Sequence, residues 1–255
     1  KIEWDMDGDE LVLTNNIEAM EGIEEMSPRE LIDVDLSGSD FISVNPVHDS
    51  LEFFSGNARY NMKENIVYAE DVFKVNVADA VIFPAARTLK ILPGGTIETL
   101  ENAGIIANRE SMKHEIQWAT VNIFSRNYYE ASGSYLYVDR ENTLFEITME
   151  DIKVDSLGIT QGSGKILETD FFSIDPAFDF IGKANLEANK PFLRFEGGFR
   201  INQDCYEEDF EHWTYFIDYV DPTNVILPLG DTIRNLDGKE LEAGVFLSSV
   251  YENVY

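Results

Sequence analysis

This sequence predicts an all-β fold with one short N-terminal helix, and three observations carry the prediction. From Asp40 onward, β-branched and aromatic residues alternate over short runs. Gly, Asn or Pro ends each run, and no long stretch keeps a helical period. A phrase also returns: Phe54-Ser-Gly56-Asn-Ala58-Arg-Tyr60, then Ile66-Val-Tyr-Ala69, comes back in degraded form as Phe180-Ile-Gly182-Lys-Ala184-Asn-Leu186, then Phe192-Leu-Arg-Phe195. Such self-similarity points to a strand-turn-strand unit used repeatedly.

Along the chain, residues 1–40 form an acidic segment with one short helix, and residues 41–255 form a repetitive all-β domain. Ser27-Pro28-Arg29-Glu30 supplies a cap, a first-turn proline and an N3 acid ahead of Leu31-Ile32, the signature of a helix start. Leu11-Val-Leu13 reads as a strand before it. Further strands are Ala80–Phe83 before Pro84, Thr88–Leu92 before Pro93-Gly-Gly95, Ala119–Ser125, Ser134–Val138, Phe145–Met149, Gly164–Leu167, Leu193–Phe195 and Thr214–Asp218. Gly162, Gly164, Gly94 and Gly95 read as turn glycines, and Asp204 to His212 as an acidic loop. Two continuations fit the pattern: stacked rungs of a β-solenoid, or antiparallel strands in an elongated open jelly roll that encloses an apolar groove. The unbroken succession from Asn65 to Phe83 favours rungs.

Composition narrows the partners. Nineteen basic against 48 acidic residues give a formal charge of -29, which repels phosphate backbones and anionic membrane surfaces. Nucleic acid is therefore excluded as a partner class. The same charge suits a solvated surface, a bound cation or a basic partner. Cys205 is the single cysteine, so neither an intrachain disulfide nor a multi-thiolate metal site is available. No apolar run approaches the ~18 residues of a membrane span. The chain starts at Lys1 and still reads as strand from Gly244 to Tyr255, so a processed fragment of a longer protein is expected.

Asp49-Ser-Leu51-Glu-Phe53, Gly56-Asn-Ala58-Arg-Tyr60 and Ile66-Val-Tyr-Ala69-Glu-Asp-Val72 are similar to the rhythm of OstA-like domains of lipopolysaccharide-transport proteins. Residues 43–255, in phrases such as Tyr129-Glu-Ala-Ser-Gly133-Ser-Tyr135-Leu-Tyr137-Val-Asp139, resemble a segment of large cell-envelope proteins of Bacteroidota. The resemblance implies a periplasmic or cell-surface location and a groove or surface that shelters acyl chains or bridges other envelope proteins. It implies no catalytic residues.

Several side-chain groups could carry chemistry. Asp5, Asp7 and Asp9 alternate in a way that lets a loop turn hard oxygen ligands towards one Ca²⁺, though an EF-hand is ruled out by Glu10 and Asn16 at its sixth and twelfth places. The plainer reading is an acidic turn before Leu11. His48, His114 and His212 lack zinc-ligand spacing, and His114 is expected in a polar turn before Ile116. Asp151, Asp155, Asp175 and Asp179 are candidates for paired acid/base carboxylates, with Asp175-Pro176 also reading as a turn. Tyr128, Tyr129, Tyr135 and Tyr137 suit a sugar platform, an apolar groove or cross-strand packing. The leading expectation is a non-catalytic envelope scaffold with no cofactor. A carbohydrate-binding or carbohydrate-active β-helix and a calcium-stabilised adhesin module are the alternatives.

Overall fold

A computed structural model describes residues 2–5, 8–14, 22–34, 36, 39–202, 213–228 and 232–241. Asp7, the whole acidic loop expected at 204–212 with Cys205 and His212, and the strand expected at 244–255 lie outside the described residues. The protein is mostly β with one short α-helix, and it forms two compact units. One unit comprises residues 1–136, 146–164 and 186–192; the other comprises 137–145, 165–185 and 193–255.

The first unit opens with strands β1 (Ile2–Asp5) and β2 (Glu10–Thr14), the helix α1 (Pro28–Ile32), β3 (Ser39–Ile42) and β4 (Glu52–Ser55). Short strands follow: β5 (Asn57–Asn61), β6 (Ile66–Glu70), β7 (Val75–Val77), β8 (Ala80–Phe83) and β9 (Thr88–Ile91). Longer ones come next: β10 (Leu100–Ala107), β11 (His114–Ser125), β12 (Tyr128–Val138), β13 (Leu144–Val154) and β14 (Thr160–Ile166). The β1–β2 hairpin comes from the acidic stretch and joins the order β1-β2-β5-β6-β9. A second sheet runs β14-β13-β12-β11-β10-β8-β7, and β3 pairs β4. Every described pairing is antiparallel, whereas the stacked rungs of a solenoid require parallel neighbours.

Helix α1 forms as its sequence predicts. Ser27 accepts from the Glu30 amide, and the Glu30 carboxylate accepts from the Ser27 amide at 2.8 Å, closing a capping box before Pro28. The Ser27 hydroxyl, donating to that carboxylate at 2.7 Å, and then the Ser27 amide hold the Glu30 carboxyl below its ordinary value. Five residues are too few for an isolated helix, so packing must hold it. Leu31 buries against Phe73, Val81, Phe83 and Ile106, with Ile23, Met26 and Met112 around it. At the other end, the Lys74 ammonium donates to the carbonyls of Leu31, Ile32 and Val34 at 2.8, 2.6 and 2.9 Å. Those carbonyls have no later helical turn to bond them, and a cation there also complements the helix dipole.

The second unit contains β15 (Ser173–Asp175), β16 (Phe178–Glu187), β17 (Arg194–Ile201) and β18 (Thr214–Tyr219), in the order β18-β17-β16 with β15 on β16. Its core is aromatic: Phe172 lies 5.1–6.3 Å from the rings of Tyr137, Phe145, Phe180 and Phe195, and Phe216 meets Phe180 and Phe199 edge-on. Tilted and edge-to-face contacts of this kind add to the burial of each ring.

The returning phrase does not mark equivalent corners. Gly56 lies in the bend between β4 and β5, while Gly182 sits mid-strand in β16 opposite Gly197. Its φ is 144°, and a β-carbon there would meet the Glu196 carbonyl oxygen at 2.4 Å. The strands also run longer than the glycine punctuation suggests. Gly162 and Gly164, read as turn residues, are inside β14, because a side chain at Gly164 would strike the Thr148 carbonyl oxygen at 2.5 Å.

Candidate functional site

The outward face of the first unit's long strands is shaped by a β-bulge. Along β11, Ile116, Ala119, Val121 and Ile123 are buried, so one extra residue must be absorbed between Ile116 and Ala119. Trp118 absorbs it by adopting φ 50°, a left-handed backbone that bulky residues seldom take. Strain of this kind costs about 1–3 kcal/mol. The side chain is nonetheless 56% exposed, so core burial does not offset that cost.

Both neighbouring strands place glycine beside it. On β10, the pairs Ala103↔Ala119 and Ile105↔Ile116 bracket Gly104 opposite Gln117 and Trp118. On β12, Gln117↔Ser134 and Thr120↔Ser132 bracket Gly133 opposite Trp118 and Ala119. A β-carbon on Gly133 would fall 2.7 Å from Ile116 Cγ2 and 3.0 Å from Ala119, so no side chain fits there. That tight space is on the core side, where Ile116 and Ala119 are buried, and the indole projects from the opposite face.

Around it the outward positions are polar. Glu101 accepts from the Thr120 hydroxyl at 2.8 Å, Glu130 from the Tyr128 hydroxyl at 2.6 Å, and Glu146 from the Ser134 hydroxyl. Accepting that bond leaves Glu130 resisting Tyr128 ionisation, so the phenol's pKa is raised. Among the described residues, none of these carboxylates forms an ion pair, and neither does exposed Glu150 on β13. Glu115 and Asp151 differ, being paired with Arg29 at 3.3 Å and Lys153 at 3.0 Å.

The residues singled out from the sequence are scattered. Asp5 ends β1, and Asp9, in the following turn, pairs with Lys63 at 2.8 Å; no group of three candidate metal ligands occurs among the described residues. His48 is buried, with Nδ1 2.8 Å from the Ser43 hydroxyl, which also accepts from the Asn45 amide. His114, expected in a turn, instead opens β11 with no exposed surface. Its Nε2 lies 2.7 Å from the Lys190 carbonyl oxygen, so that nitrogen carries the proton. Nδ1 then accepts from the Tyr135 hydroxyl at 3.2 Å, and burial lowers the imidazole pKa.

Each of the four aspartates has a partner within the fold. Buried Asp175 accepts from Arg140 at 2.9 Å and from the Ala177 amide, the turn expected at Pro176. Asp179 pairs with Arg200 at 3.1 Å, and Asp155 accepts from the amides of Leu157 and Ile159, which hold its carboxyl below the usual range. Tyr129 and Tyr137 are core residues, whereas Tyr128 stacks obliquely on Phe124 at 5.7 Å on the outward face.

One arrangement has no signal in the sequence. Asp79, in the β7–β8 turn, accepts from the Thr160 amide at 3.1 Å and from its hydroxyl at 2.6 Å. Because that hydroxyl donates to Asp79, it accepts from buried Tyr129 at 2.9 Å. The first unit's sheet thus curls until its β7–β8 turn meets β14, with four strands between them in the hydrogen-bonded order. Beside this clasp, four turns line a cleft of about 670 Å³ that includes Asp79, Asn108, Arg109, Asn127 and Asp155. Asp79 and Asp155 spend their oxygens on backbone and side-chain donors of the fold itself.

No protein-family model, curated protein or solved structure matches the chain. Its chemistry is therefore read from these side chains alone. Among the described residues, no buried side-chain nitrogen or oxygen lacks a hydrogen-bond partner. Exposed carboxylates with no paired cation among the described residues, those of Glu101, Glu130, Glu146 and Glu150, lie on the outward face of β10, β12 and β13.

Proposed function

We propose that the protein is a non-catalytic β scaffold that makes contacts through the outward face of β10–β13. Trp118 is the observation that carries this reading. A large aromatic held in a left-handed bulge and 56% exposed presents an anchor of the kind that dominates protein contacts. The spent state of His114, Asp175 and Asp79 supports a framework role for the buried polar groups. Placement in the bacterial envelope belongs to the same proposal and rests on the likeness of residues 49–72 to OstA-like domains. So does the elongated open jelly roll, which the antiparallel order of the first unit supports in preference to rungs.

A carbohydrate-binding platform is the second reading, favoured by the same indole and its hydroxyl-bearing neighbours Thr120 and Ser132. The test is incubation of purified protein with a panel of glycans and chromogenic esters. No turnover above buffer is expected. Sustained hydrolysis that disappears in Asp155→Asn or His48→Ala would end the scaffold reading. Chelation is expected to leave the melting temperature unchanged, and a drop of several degrees would favour the calcium-stabilised module at Asp5, Asp7 and Asp9.

A further inference from the structure

We infer that the Trp118 face docks a cationic protein segment rich in Lys and Arg. This rests on the scaffold reading and names the chemistry of its partner. Three observations converge. The whole chain carries a formal charge of -29, so a positive segment is drawn towards it at long range and a negative one is turned away. The same sign recurs locally: Glu101, Glu130, Glu146 and Glu150 lie at outward positions of β10, β12 and β13 without a cation paired to them among the described residues. Between these carboxylates, the exposed indole of Trp118 offers the ring face that best attracts a guanidinium or ammonium.

The protein already uses that attraction elsewhere. Arg200 lies 4.6 Å from the Trp213 ring and Arg59 lies 5.1 Å from that of Tyr68. Trp118 has no such cation of its own among the described residues. Four neighbouring strands spaced about 4.8 Å apart span ~14 Å, the reach of four or five extended residues. Such a segment can set one cation on the indole and others on the flanking carboxylates. A neutral glycan could stack on the indole but would gain nothing from the uncompensated negative charge.

The experiment is fluorescence anisotropy of a labelled decapeptide alternating Arg and Ser, titrated with the parent protein and three variants at roughly physiological ionic strength. Trp118→Gly leaves the net charge unchanged and suits the left-handed backbone, and Trp118→Phe retains a weaker ring. Glu101→Gln/Glu130→Gln removes local charge only. Trp118→Gly is expected to weaken binding about tenfold, Trp118→Phe less, and the double variant to weaken it and flatten its salt dependence. A charge-matched change elsewhere, Asp40→Asn/Glu64→Gln, is expected to bind like the parent.

If all variants bind within about twofold of the parent, attraction is merely to a polyanion and the inference is overturned. It is equally overturned if a neutral hexasaccharide changes the emission of Trp118, as sole tryptophan in Trp4→Phe/Trp213→Phe protein, while the peptide does not. Either result without substrate turnover removes the basic partner and leaves the scaffold. Turnover, by contrast, removes the scaffold itself.

Discussion

Trp118 on β11 stands opposite Gly133 on β12, where a β-carbon would lie 2.7 Å from Ile116 Cγ2. The bulge that ejects the indole also draws buried Ile116 and Ala119 against Gly133 on the core side. Stability and exposure are therefore set by one local backbone arrangement. Trp118→Gly is expected to change unfolding free energy by less than about 1 kcal/mol, because relief of left-handed strain offsets the flexibility of glycine. A core tryptophan would cost about 3–5 kcal/mol on truncation. Gly133→Ala, in contrast, is expected to lower the urea midpoint clearly. Urea titrations of both variants check the pair, and a large loss from Trp118→Gly would show the indole to be structural.

The Tyr129–Thr160–Asp79 chain predicts non-additivity. Thr160→Val leaves the buried Tyr129 hydroxyl without its acceptor and deprives the Asp79 carboxylate of a donor, at an expected cost of about 2–3 kcal/mol. Adding Tyr129→Phe removes the orphaned hydroxyl. The double variant is therefore expected to be less destabilised than the sum of the singles by about 1 kcal/mol or more. A double-mutant cycle by denaturant unfolding measures this, and simple additivity would mean the hydroxyls do not act as a chain.

His114 and Tyr135 give the first unit a pH dependence at both ends. Burial makes the His114 imidazole less basic than in the unfolded chain, so the fold binds fewer protons there. Its contribution is present above the unfolded value of about 6.5 and is lost as pH falls below it. His114→Gln is expected to flatten the decline in melting temperature on the acid side. Tyr135 is pushed up to about 12, chiefly by burial, so its contribution is present below the unfolded value near 10 and is lost as pH rises towards 12. Tyr135→Phe is expected to flatten that alkaline limb, and thermal melts across pH that match the parent at both ends would refute the assignment.

Lys74→Met keeps the aliphatic stem but withdraws the ammonium from three carbonyls at the end of α1. A loss of about 1–3 kcal/mol is expected, together with faster amide exchange at residues 29–34. Exchange unchanged in that segment would show that packing of Leu31 alone fixes the helix.

Much of the local structure was legible in the chain. The capping box of Ser27 and Glu30, the strand Ala80–Phe83 and the turn at Asp175-Pro176 follow from rules that act within a few residues. Glycine misled where it served close packing between strands. Gly164 and Gly182 sit inside strands because a neighbouring backbone leaves no room for a side chain, and sequence spacing cannot distinguish that from a turn. Trp118 was hidden for a related reason: a bulge offsets strand alternation by one residue, so the tryptophan reads as interior until the register is known. The Asp79–Thr160 contact spans 81 residues and has no local signature.

That separation bears on the order in which the fold assembles. Hairpins from β10 to β14 close over short loops, but Asp79 must wait until the intervening strands have paired and curled before Thr160 is within reach. The clasp is therefore expected to form late, after the rate-limiting barrier. Cutting it with Thr160→Val is expected to leave the refolding rate nearly unchanged and to put its cost into faster unfolding, as the two arms of a chevron would report. Under the proposed scaffold role, a latch of this kind sets how long the sheet endures once it has formed.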